Sequence, residues 1–141
     1  MRINTRFPVA VHMLALIELN KTQPSTSELM ALSVGTNPVV IRQLMSALKR
    51  GGLIETRSGV PGCHLTKPAA KITLRDIYRA VQKKSDTPLF DFHPCPNPQC
   101  PVGRNIREAL DAPFSDAQTA LEQTLESYTL KDVADQIAMR L

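Results

Sequence analysis

Three side chains in the run HPCPNPQCPVGRN, namely His93, Cys95 and Cys100, are the ones best suited to covalent or metal chemistry. Cys100 stands directly before a proline that opens a helix, where unpaired backbone N–H groups and the helix dipole favour a thiolate and therefore an oxidisable sulfur. Cys95, five residues away across a proline-stiffened loop, is placed to act as a resolving thiol or to pair across a dimer. The CxxxxC spacing is not the CxxC of redox enzymes, which favours a sensor over a catalyst. With His93 the two thiols make an incomplete soft-metal site, because a cluster needs four ligands and Asp91 or a group from another chain would have to supply the rest. The plainer alternative is that Cys100 is a small apolar anchor and Cys95 an unreactive surface thiol. Cys63 reads as incidental in a turn, His12 as packing and His64 as strand surface. No phosphate loop, paired catalytic carboxylates or Ser-His-Asp arrangement is present, so the chain reads as no enzyme.

A second set of residues suits hydrogen bonding to base edges. In TNPVVIRQLMSALKR, Asn37 caps a helix and Pro38 fits its first turn. Val40, Ile41, Leu44, Met45 and Leu48 then recur at helical spacing, leaving Asn37, Val39, Arg42, Gln43, Ser46 and Lys49 outward. Gly51 and Gly52 stop the helix, LIETR alternates as a strand, the chain turns at SGVPG, and CHLTK returns as a second strand. Arg57 and Ser58 fall near that hairpin tip, where they can approach a phosphate backbone. This predicts a winged helix-turn-helix.

The elements that must position those groups lie on both sides. Phe7, Ala10, Val11, Leu14 and Ile17 form an apolar stripe, and STSE from Ser25 to Glu28 reads as a capping box opening a helix with Leu29 and Leu32 inward. Ser25 and Thr26, at the start of that helix, and Thr36, in the following turn, join the candidate DNA contacts. TLRD at Thr73 opens a short helix expected to brace the wing against the first helix. Prolines crowd the stretch from Pro88 to Pro101 and mark a boundary. Beyond it VGRNIREALDA is helical, Pro113 signals a break or kink, and SDAQ at Ser115 starts a further helix with Phe114, Ala117, Leu121, Leu125 and Tyr128 on one side. That heptad-like stripe must be covered, most simply by a second copy, or else by its own domain. TLKD at Thr129 caps a last helix, with Val133 and Ile137 apolar, that could close over a dimer.

Charge supports the DNA reading. Residues 1–84 carry 13 Lys plus Arg against 4 Asp plus Glu, and residues 85–141 carry 4 against 9, which together give the net +4. A basic half that coincides with the helix-turn-helix and wing fits counterion release from phosphates. With four Phe, two Tyr and no Trp, stacking on single strands or RNA is disfavoured. The length suits one main domain plus an appended element, three cysteines argue against a disulfide framework, and no run is apolar enough for a membrane. The expected location is the cytoplasm.

Taken together, the helix RFPVAVHMLALI, the run SALKRGGLIETRSGVPG, the helix TLRDIYRAV and the tail AQTALEQTLESYTLKDVADQI resemble the Rrf-two family of bacterial winged-helix regulators over nearly the full length. TNPVVIRQL, GVPG and NPQCPVG are most similar to its YwnA-like branch. The resemblance implies a mainly α fold with a small β wing and a long C-terminal dimerisation helix. It implies a homodimeric transcription factor, often a repressor, on double-stranded DNA with an imperfect palindromic operator. Carried over, base reading would fall at Asn37, Pro38, Val39, Arg42 and Gln43, with Arg57 and Ser58 in the wing. Many relatives have an Arg-Gly pair followed by Gly-Gly-Tyr there, whereas this chain has Ser58, Gly62, Cys63 and His64 in comparable places. Cluster-binding members place three closely spaced cysteines after the wing; here only Cys95 and Cys100 lie there, so no cofactor is expected. The expected divisions are a DNA-binding domain at 1–84, a Pro/Cys-rich sensor loop at 85–100 and a dimerisation region at 101–141. The rival readings are a metal- or iron–sulfur-binding redox sensor using His93, Cys95 and Cys100, and a structural adaptor built on the same fold.

Overall fold

In the computed structural model, residues 5–82, 89–90 and 92–141 are described. Helix α1 (Arg6–Leu19) follows from the apolar stripe, and buries Ala10, Met13, Leu14 and Ile17. Helix α2 (Ser27–Val34) begins one residue later than the STSE pattern suggests. Its N-cap is Thr26, whose hydroxyl accepts from the Leu29 N–H at 3.2 Å. Met30 and Ala31 face the core, and Leu32, expected inward, is 81 % exposed. Helix α3 (Pro38–Arg50) starts as the sequence indicates: the Asn37 side chain accepts from the Val39 N–H at 2.7 Å, and Ile41, Leu44, Ala47 and Leu48 are buried.

Strands β1 (Ile54–Arg57) and β2 (Val60–Leu65) pair antiparallel, with Ile54 opposite Leu65 and Arg57 opposite Val60. The turn is therefore Ser58–Gly59 alone, with Gly59 at φ +76, and Val60, Pro61 and Gly62 belong to the strand rather than to a longer loop. Pro61 is tolerated because the register slips between the Glu55 and Arg57 pairs, so its missing N–H breaks no regular ladder. At Gly62 the backbone has φ +83, and an added Cβ would lie 2.7 Å from the Ser25 nitrogen. The next N–H, that of Cys63, donates to the Ser25 carbonyl at 3.1 Å. The wing is thus fastened to the segment that leads into α2.

A 3-10 turn (Ala69–Lys71) leads to α4 (Leu74–Val81), whose capping box pairs Thr73 and Asp76 reciprocally at 3.0 Å. Helix α4 packs on α1 and α3, with Phe7 and Tyr78 edge to face at 5.5 Å between centroids, and the wing instead contacts α1 directly. The expectation that α4 braces the wing is corrected accordingly.

Helix α5 (Pro101–Glu126) is a single helix of 26 residues with Pro113 inside it, not two helices meeting at a break. Pro113 costs the helix one hydrogen bond, but the carbonyl it strands belongs to Ala109, an exposed residue whose carbonyl water can reach. Helix α6 (Leu130–Ala138) carries the second expected capping box, Thr129 with Asp132. Leu130 donates to the Ile72 carbonyl at 2.8 Å and Leu74 to the Tyr128 carbonyl at 2.9 Å, so a short antiparallel bridge joins the starts of α4 and α6. Leu130 and Ala134 are buried, and α6 packs on α1 and the 3-10 turn. The chain divides into two compact units, Met1–Gln82 with Leu125–Leu141, and Lys83–Thr124. The last helix, α6, lies within the first of these units.

Candidate nucleic-acid interface

Because the inner side of α3 is filled by Ile41, Leu44 and Leu48, its other side is left to solvent. Asn37, Pro38, Val39, Arg42, Gln43 and Lys49 are all exposed there, together with Ser46 and Arg50. The mixture is chemically suited to base edges: an amide donor and acceptor, a guanidinium fork and an apolar methyl pair on Val39, which is 54 % exposed. Lys49 and Arg50 in the last turn also complement the partial negative charge of the helix end.

Arg42 has a neighbour that the sequence did not reveal. Its Nη2 lies 3.7 Å from Glu28 Oε1 of α2, with both side chains well exposed, so the pair is weak and readily exchanged for a phosphate or a base. The Glu28 carboxyl is held below its ordinary range chiefly by its own backbone N–H, with smaller help from Ser27 and then Arg42. In the wing, Arg57 donates from Nε and Nη2 to Glu55 Oε1 at 3.2 and 2.9 Å, and Ser58 is exposed in the turn. Strand alternation puts Glu55 and Arg57 on one face, a signal present in the sequence.

The start of α2 contributes less than expected. Ser25 is only 5 % exposed, pressed beneath Gly62 and Cys63, so its side chain is withdrawn from the surface set. Thr26 is half-buried with its hydroxyl committed to the cap, and Thr36 is half-buried in the turn.

In the second unit, Cys95 and Cys100 are both exposed free thiols. The backbone N–H groups of Gly103 and then Val102 donate to the Cys100 sulfur and hold its thiol below the ordinary value. Asn97 shapes the approach: its carbonyl accepts from the Cys100 N–H at 3.2 Å, its side chain from the Gln99 N–H at 3.0 Å, and it leaves no room for a Cβ on Gly103. Cys95 is held at φ +53. Cys63 differs, since burial pushes its thiol up, slightly opposed by Lys49. Asp91 lies outside the described residues. Among the described residues no group of three His, Cys, Asp or Glu side chains is placed together as metal ligands.

Helix α5 buries none of its residues. Its half-buried side chains Ile106, Leu110, Phe114, Ala117, Leu121 and Leu125 recur every three or four residues, and the stripe extends further towards the N-terminus than Phe114. Phe114 is partly covered by its own chain, with Phe90 and Phe92 at 5.1 and 5.4 Å, and Arg107 caps Phe92 at 4.7 Å. Tyr128, 53 % exposed, falls beyond the end of α5 and leaves the stripe. Among the described residues no helix is long and apolar enough to cross a membrane.

A surface of this kind on a three-helix core with a hairpin defines a winged-helix DNA-binding protein. The chain belongs to the Rrf2 family, described as iron-dependent transcriptional regulators, whose model matches residues 3–136. It is 47 % identical over 135 residues to YwnA of Bacillus subtilis (strain 168), named as an HTH-type transcriptional regulator, covering 96 % of this chain and 98 % of that one. A crystal structure titled as a DNA-binding protein matches with TM-score 0.74 and 44 % identity over 91 % of this chain and 97 % of its own. A transcriptional-regulator structure from Lactobacillus plantarum matches with TM-score 0.77 and 25 % identity, covering 96 % and 91 %. The chain is accordingly a DNA-binding transcriptional regulator and not an enzyme.

Proposed function

We propose that the protein is a cytoplasmic homodimeric repressor, without a resident cofactor, that reads an imperfect palindromic operator in double-stranded DNA. The observation that carries this reading is the outward face of α3, where every residue expected to contact bases is exposed. The first turn of α3 enters the major groove, Asn37, Val39, Arg42 and Gln43 meet base edges, and Lys49 with Arg57 and Ser58 engages phosphates. Helix α5 supports the dimer: a long helix with one apolar stripe and no buried residue gains most by packing on a second copy of itself. Two-fold symmetry then repeats the half-site.

Cys100 tunes the affinity. Its thiolate attacks a peroxide oxygen, forming sulfenic acid and releasing the other oxygen as water after protonation; the Cys95 thiol then displaces hydroxide from the sulfenic sulfur, giving a disulfide and a second water. Selecting bound duplexes from random DNA, with and without peroxide, tests the reading. Inverted half-sites about one helical turn apart, recovered less efficiently after oxidation, are expected. Asymmetric or random sequences would refute the operator model, and recovery indifferent to peroxide would refute the tuning.

A further inference from the structure

The end of α1, the segment entering α2 and strand β2 line a half-open cavity of roughly 340 Å³ within the first unit. Small-molecule sites begin at about this size. Its walls combine an apolar surface from Ile17, Pro24 and Leu65 with two cations, Lys21 and Lys67. Those ammonium groups are only loosely engaged, Lys21 at 3.8 Å from Glu18 and Lys67 at 4.0 Å from Asp76, on exposed side chains. Glu18 in the wall and Asp76 beside it meet these cations only at the limit of ion-pair distance, so both exposed pairs are readily exchanged for another carboxylate. Asn20 already uses its Oδ1 for the Thr22 N–H and hydroxyl, which leaves its amide N–H groups as the unspent end. His64, also in the wall, has Nε2 shut off from solvent with no hydrogen-bond partner.

We propose that this cavity binds a small organic carboxylate, with the charged group between Lys21 and Lys67 and the hydrocarbon part against Ile17, Pro24 and Leu65. A neutral ligand would gain nothing from the two loosely engaged cations, and inorganic phosphate would leave the apolar wall wet. The site lies where β2 is fastened to Ser25, so an occupant acts on the position of the wing relative to α2. That consequence for DNA affinity rests on the function proposed above; binding itself does not.

The test is a titration of the full chain, without DNA, followed by amide nitrogen–proton correlation spectra. Sodium benzoate at millimolar concentration is the probe, with benzamide as its neutral counterpart and inorganic phosphate as the bare anion. Benzoate is expected to shift the Gln23, Ser25, Cys63 and His64 amides saturably, benzamide to leave them in place, and Lys67→Gln to weaken benzoate binding about tenfold with an otherwise unchanged spectrum. No saturable shift, an equal response to benzamide, or an unaltered affinity in Lys67→Gln would overturn the proposal. Phosphate binding as tight as benzoate would reduce the cavity to an adventitious ion site only. Because no duplex is in the sample, failure here leaves the operator reading intact, and failure to bind an operator leaves this site intact.

Discussion

At the scale of single residues, Cys100 and Cys63 show how one side chain acquires opposite chemistry from its surroundings. Burial pushes the Cys63 thiol up, whereas the N–H groups of Gly103 and Val102 stabilise the thiolate of Cys100. A lowered thiol pKa means that the thiolate is present at lower pH, and is lost only as pH falls through the lowered value. In a Cys95→Ser variant, the pH profile of iodoacetamide alkylation should therefore be centred below the roughly 8.5 of an ordinary thiol, and Cys100→Ser should abolish the fast reaction. A profile centred at or above the ordinary value would contradict the geometry. The cysteine pair itself was visible in the sequence, but the role of Asn97, which folds the loop over Gly103, was not, because a close approach between backbone segments leaves no pattern in residue types.

Elements defined by local chemistry were the most legible. The Asn37 cap with its proline and the two boxes at Thr73 and Thr129 appear where residue spacing puts them, since a cap needs only neighbours within one turn. Thr129→Ala should destabilise the protein by about 1 kcal/mol in chemical denaturation, with the slope unchanged. No measurable loss would mean that the cap contributes nothing beyond the bridge to Thr73. Elements decided at a distance were misread. Ser25, Thr26 and Ser27 offer three successive hydroxyls; Thr26 is the cap, while Ser25 lies buried against Gly62 and Cys63 of the wing. The return of α6 depends on Leu130 meeting Ile72, a contact across more than fifty residues of sequence. Pro113 was a sound warning of a break, yet its exposed setting let α5 run through.

For the whole molecule, the separation of charge and the half-buried α5 stripe point the same way. A basic winged helix supplies the affinity for phosphates, and a shared helix would supply the symmetry. Leu121→Glu, which places a charge in the middle of the stripe, should shift the protein from dimer to monomer in sedimentation and weaken operator binding by tenfold or more. A dimer that persists unchanged would locate the interface elsewhere. The central claim, that the outer face of α3 reads sequence, is tested most directly by fluorescence anisotropy of wild type and Arg42→Ala on the selected operator and on a scrambled duplex of equal length and salt. The account predicts a loss of about 1–3 kcal/mol on the operator and far less on the scrambled duplex, so that Arg42→Ala discriminates less between them. Unchanged discrimination would contradict it.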